Sequence, residues 1–146
     1  MEEIIIKEID ARATEYPQLV AFRNRMLRVP LGLNIYEEDL SDDQKDIILI
    51  VSQGEEIVGC VMLHPLEENV VKLRQMAIAE KLQGKGIGKV LVEDAEQAAA
   101  EYGFNKIILH ARVHVQGFYE QLGYQPYGEI FTEVTIPHIA MEKQLG

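Results

Sequence analysis

Apolar positions along the chain follow two rhythms. Short, near-continuous β-branched runs mark strands at Ile4-Ile5-Ile6, Ile47 to Val51, Ile57 to Leu63 and Val70 to Ile78. Ser52-Gln53-Gly54-Glu55-Glu56 reads as a hairpin turn and Glu67-Glu68-Asn69 as another, with Pro65 closing the third run. The helical rhythm begins at Leu19, Phe22 and Met26, which share one face behind Thr14 as a cap and Pro17 in the first turn. That helix carries Arg23, Arg25 and Arg28 and ends before Pro30; Leu33 to Leu40 predicts a second short helix, followed by the polar stretch 41–45. After a glycine-rich segment, Lys89 to Tyr102 predicts a helix with Leu91, Ala95, Ala98 and Tyr102 on one face and Gly103 as its stop. Lys106 to Ala111 predicts a strand, Val115 to Leu122 a short helix stopped by Gly123, and Tyr124 to Phe131 and Ile139 to Leu145 two last strands. Antiparallel hairpins ahead of a strand–helix–strand unit predict a mixed α/β sheet.

A chain of 146 residues with no repeat or linker fits one domain, 1–146. Its 14 basic and 24 acidic side chains leave a net charge of −10, which argues against nucleic acid or an anionic membrane as general partner. No apolar run reaches the length of a membrane span, and Met1-Glu2-Glu3-Ile4 lacks the basic end of a signal peptide. The single cysteine, Cys60, makes neither an internal disulfide nor a zinc cluster and reads as a small core residue. Together these features lead us to expect a cytoplasmic protein.

Gln83-Gly84-Lys85-Gly86-Ile87-Gly88-Lys89 follows a strand and opens a helix. Free N–H groups and the positive end of the helix dipole meet there, and glycines let a phosphate approach the amides. The spacing excludes two familiar phosphate loops. A P-loop needs glycine where Gln83 stands and Ser or Thr where Val90 stands, and the dinucleotide pattern needs glycine at Lys89. A flexible turn without a ligand remains the alternative on these residues alone.

The order Gln-x-x-Gly-x-Gly between strand and helix, a further strand, then Gly117-Phe118-Tyr119-Glu120-Gln121-Leu122-Gly123-Tyr124 resembles the GNAT family of N-acetyltransferases. The resemblance spans essentially the whole chain and is strongest from Leu73 to Gly128. It implies the acyl-CoA N-acyltransferase fold, a mostly antiparallel sheet splayed between two strands and flanked by helices. It also implies acetyl-CoA as co-substrate, with no metal. The amides of Gln83, Gly84, Lys85, Gly86, Ile87, Gly88 and Lys89 would hold the pyrophosphate, and Met76, Ala77 and Ile78 would pair with the pantetheine arm. Met76 or Ala77 would stabilise the oxyanion. Tyr119, otherwise a packed core aromatic, becomes the proton donor to the departing thiolate.

Gly128-Glu129-Ile130-Phe131 and Ile136-Pro137-His138-Ile139-Ala140-Met141 are similar to the branch that contains the glyphosate N-acetyltransferase of bacilli. There the histidine matching His138 is the general base, a role that suits an imidazole near neutral pH. The same match assigns Arg28, Arg74 and Arg112 to an anionic acceptor, which guanidinium forks bind two-pronged. Structural salt bridges to some of the many acids are the other reading of these arginines. Arg23 and Arg25 extend the cluster or face solvent, and Lys85 and Lys89 approach CoA phosphates or stay solvated. His110 and His114 lack a third metal ligand, and the acids at 37–39 and 42–43 read as a solvated face or as the rim of the acceptor entrance.

The expected activity is direct transfer of acetyl from acetyl-CoA to a small, anionic, amino acid or aminophosphonate-like amine. The rivals are polyamine, aminoglycoside or protein amino groups as acceptors, and a non-catalytic acyl-CoA sensor on the same fold. A homodimer is the expected form of any self-association.

Overall fold

The computed structural model describes residues 2–146; Met1, where the expected domain begins, lies outside the described residues. Seven strands form one sheet: β1 Ile4–Ile9, β2 Ile47–Gln53, β3 Glu56–Glu67, β4 Val70–Ile78, β5 Lys106–Arg112, β6 Gln125–Glu133 and β7 Ile136–Gln144, in the order β1-β2-β3-β4-β5-β7-β6. Three α-helices accompany it among the described residues: α1 Tyr16–Leu27, α2 Ile87–Glu101 and α3 Gln116–Gln121. Every neighbouring pair is antiparallel except β4 with β5. Among the described residues, no helix is long and apolar enough to cross a membrane.

The two sheet faces are told apart by what they touch. Lys143 of β7 bridges Glu96 of α2, so α2 covers the face that carries Ile107, Leu109 and Leu73. Arg74, one residue beyond Leu73, points the other way and meets Asp43, which also binds Arg23 of α1. α1 therefore covers β3 and β4 from the opposite side. The strand runs were legible because these strands lie between two helical layers. Val58, Cys60, Val61, Met62 and Leu63 of β3 are all fully buried, and each large one contributes about 1.5–3 kcal/mol relative to exposure.

Four local expectations are corrected. Leu33 to Leu40 forms only a 3-10 turn, Ile35–Glu37. Asn34 caps the N–H of Tyr36, Asn24 takes the N–H of Ile35, and Arg28 grips Glu38, so side chains rather than a helix satisfy this backbone. Thr14 does not cap α1; the cap position is Glu15, with no side-chain cap bond. β3 runs through Pro65 to Glu67, with the register shifting after Pro65. Tyr102 is exposed, its hydroxyl on Glu8 rather than in the core face of α2.

Candidate active site

β4 and β5 pair only from Val70↔Lys106 to Leu73↔Leu109, and beyond that point the two strands separate. The wedge is opened in part by a bulge. Gln75 sits at φ 55, and the β3 register slips between Cys60 and Met62. Arg23 Nε donates to the Gln75 side-chain oxygen (3.3 Å) and the Cys60 thiol to the Gln75 carbonyl (3.1 Å), which holds the bulge in place. Burial pushes the Cys60 thiol up to about 12, so this cysteine packs as an inert core residue. The N–H of Ala79 donates to Val58 of β3. By strand alternation Ala77 turns the same way, while the N–H groups of Met76 and Ile78 face the wedge. Of the two expected oxyanion donors, Met76 is therefore the one aimed at it.

The glycine loop closes the wedge from the helix side. Gly84 and Gly86 adopt φ 78 and 81, conformations that cost other residues roughly 1 kcal/mol or more. A Cβ on either would meet nothing within 4 Å, so the loop's surface is open above them. A Cβ on Gly88 would lie 3.5 Å from the Met76 methyl and 3.4 Å from Phe118, which puts the helix start against β4 and α3. Among the described residues, none of the N–H groups from Gly84 to Lys89 has an acceptor; Val90 makes the first bond of α2, to Gly86. Gln83 ties the loop down through its amide to the Ile78 carbonyl (2.9 Å). Donors with no acceptor among the described residues, at the positive end of a 15-residue helix, are chemically suited to receive an anionic group. Lys85 and Lys89 are exposed beside it.

Tyr119 of α3 is 8% exposed, with its hydroxyl 3.5 Å from the Met76 sulfur and its ring edge-on to Phe118 and Tyr124. Burial pushes its hydroxyl up to about 12, so it keeps its proton across the physiological range.

The far side of the wedge is built on β5, β7 and β6. Arg112 lies opposite His138, and His138 opposite Phe131, so the three side chains share the face away from α2. His138 is 6% exposed; its Nδ1–H donates to the Ile136 carbonyl (2.8 Å), which leaves the Nε2 lone pair free in the neutral ring. Phe131 stacks on it and meets His110 edge-on. Glu133 accepts from His110 Nδ1 (2.9 Å), and its other oxygen lies 3.9 Å from His138 Nε2.

The three expected arginines differ in what they touch. Arg112 makes no ion pair or hydrogen bond among the described residues. Arg74 spends Nε on Asp46 and one terminal nitrogen on Asp43, both at 2.8 Å, and keeps its other terminal nitrogen unused. Arg28 forks onto Glu38 at 2.5 and 3.0 Å and donates to the Leu27 carbonyl as well. Arg23, expected to extend the cluster or face solvent, and Asp43, expected on a solvated face or at the rim of the acceptor entrance, are both 1% exposed and paired at 2.7 Å. Burial opposes ionisation of Asp43, but Tyr16, Arg23 and Arg74 outweigh it and hold the carboxyl below the usual range. Glu133 carries no motif in the sequence, and His110 is weighed there only as a metal ligand. Their pairing spans 23 residues of sequence, so no local pattern announces it. Among the described residues, no group of three His, Cys, Asp or Glu side chains is arranged to hold a metal.

Comparison with known proteins matches residues 10–124 to the acetyltransferase (GNAT) family. The chain belongs to that family. The protein YyaT of Bacillus subtilis is 34% identical over 78 residues, 53% of each chain. Escherichia coli ElaA is 25% identical over 111 residues, 74% of this GNAT chain and 71% of ElaA. The chain thus spans about half the length of the Bacillus subtilis relatives it matches. In fold, it is similar to the ElaA crystal structure (TM-score 0.86, 19% identity, 97% and 99% covered). It is also similar to an aminoglycoside 6'-N-acetyltransferase complexed with coenzyme A (TM-score 0.75, 19% identity, 97% of each chain covered). The mixed sheet with one parallel pair is the acyl-CoA N-acyltransferase fold.

Proposed function

We propose that this chain is an acetyl-CoA-dependent N-acetyltransferase that acetylates a small amine bearing an anionic group. One observation carries the reading: the edge of β4 beyond Leu73, unpaired with β5, lies beside loop N–H groups that have no acceptor among the described residues. That is a strand edge for an amide-bearing arm leading to a seat for a diphosphate, the two parts of coenzyme A, which a relative in fold binds. When bound, acetyl-CoA supplies an activated acyl group on a thiol leaving group.

The chain's residues supply the remainder. Gly84 to Lys89 bind the phosphates, with Gln83 fixing the loop. Met76 and Ile78 pair with the arm, and the Met76 N–H faces the developing oxyanion. His138 Nε2 takes one proton from the acceptor's ammonium, so that a neutral nitrogen attacks. Tyr119 gives its proton to the sulfur as the C–S bond breaks, and the second proton shed by the nitrogen restores it. Arg112 takes the acceptor's anion directly, and Arg74 adds its unused terminal nitrogen. Arg28 joins only by letting go of Glu38. This arrangement suits the glyphosate N-acetyltransferase-like branch that the sequence resembles.

A cationic acceptor, such as a polyamine or aminoglycoside, is the second reading. It is favoured by the acids Glu38, Asp43 and Asp46, which already neutralise Arg28 and Arg74. Release of CoA thiol across acidic, neutral and cationic amines decides between them: higher kcat/KM for acidic members is expected, and preference for cationic ones rejects the anionic acceptor.

A further inference from the structure

We propose that Glu133 anchors the acceptor's ammonium group beside His138, and that His110 is the positioning residue that holds Glu133 there. The inference deepens the reading above and rests on it.

The geometry is specific. Glu133 Oε1 is occupied by His110, whereas Oε2 is directed to His138 Nε2 at 3.9 Å. That gap is too long for a hydrogen bond between the two. It suits a donor placed between them: a nitrogen about 2.9 Å from both atoms would see them roughly 85° apart, so two N–H bonds of one ammonium can serve both. His138 cannot close the gap by turning, because its Nδ1–H is held by the Ile136 carbonyl. Glu133 is open enough to meet a ligand, with 39% of its side chain exposed against 8% for His138.

The charge setting agrees. Glu133 is faced by His110 from β5, Lys72 from β4 and His138 from β7; Glu129 shares its own strand, and Arg112 flanks His138 from β5. Burial works against the Glu133 carboxylate, but the His110 bond and the charges on Lys72 and His138 prevail and keep it below the usual glutamate range. A fixed carboxylate beside a free imidazole nitrogen both attracts an ammonium and presents its proton to the base. One N–H bond breaks, the proton joins His138 Nε2, and the nitrogen keeps its electron pair for attack. Arg112 on the same face then takes the anion of the same molecule, so the site's two ends match a zwitterionic amine.

The test uses the full chain, acetyl-CoA and four probes: glycine, L-aspartate, ethanolamine and putrescine. The best acceptor is carried through Glu133→Gln, His110→Ala and His110→Gln from pH 6.5 to above its own ammonium pKa. Glu133→Gln should raise the acceptor KM about tenfold at pH 7, the scale of one hydrogen bond to a charged group, with kcat changing less. The ratio to wild type should fall towards one once the acceptor is uncharged. His110→Ala should raise KM in the same pH-dependent way, and His110→Gln, which still offers an N–H donor, should recover it. An unchanged KM in Glu133→Gln, or a rise that does not vary with pH, overturns the anchor while leaving the acetyltransferase reading intact. KM effects in His110→Ala that His110→Gln does not relieve overturn the positioning role. Wild type inactive on all four probes overturns the enzymatic reading and this inference with it.

Discussion

In the proposed reaction His138 removes a proton from an alkylammonium near neutral pH, and its ring has one nitrogen pinned and the other facing Glu133. His138→Ala should lower kcat/KM about a hundredfold at pH 7 and regain part of it at alkaline pH, where solvent has already deprotonated the amine. A pH–rate profile checks this, and an unchanged rate at pH 7 removes His138 as the base. Tyr119→Phe should cut kcat while leaving acetyl-CoA affinity intact, a split that single-turnover and binding measurements resolve. Because burial holds the Tyr119 hydroxyl up at about 12, the acid form persists below that value, and kcat should show no alkaline decline near the ordinary tyrosine range. Both residues were legible because each sits in a short motif. Glu133, His110, Asp43 and Arg23 were not, since long-range pairing gives them meaning and nothing local does.

At the scale of elements, two turns carry the site. The loop from Gln83 to Gly88 depends on Gly84 and Gly86 at positive φ, and a Cβ there costs backbone strain rather than space. Gly86→Ala should destabilise the protein by about 1–2 kcal/mol and weaken acetyl-CoA binding, read by denaturant melts and calorimetry. The β6–β7 hairpin turns through Val134 and Thr135 at φ 51 and 64, although β-branched residues disfavour that region. Replacing them with Asn-Gly should raise stability by about 1–2 kcal/mol. The runs of β2 and β3 were readable because nearly all of their apolar residues are buried. The Ile35–Glu37 turn was not, because Asn24, Asn34 and Glu38 override a helical pattern with side-chain bonds.

Across the whole molecule, Asp43 ties α1, through Arg23 and Tyr16, to β4 through Arg74, and Asp46 extends the chain of contacts to His64 on β3. Removing a partner from a buried pair costs about 3–5 kcal/mol, so Asp43→Ala should lose stability on that scale at pH 7. Asp43 titrates below an unfolded aspartate, so its stabilisation is complete above the ordinary aspartate value and is lost as pH falls through the lowered one. Denaturant melts of wild type and Asp43→Asn should therefore converge towards acid pH. The net charge of −10 does not oppose the proposed anionic acceptor, because salt screens the distant acids over roughly 10 Å while Arg112 would act at contact. The most direct test of the whole account is the release of CoA thiol from acetyl-CoA by the purified chain. The account predicts thiol only when an amine is also present, saturable in both substrates, with one acetylated amine formed per thiol. Thiol at the buffer rate with every amine tried would contradict it.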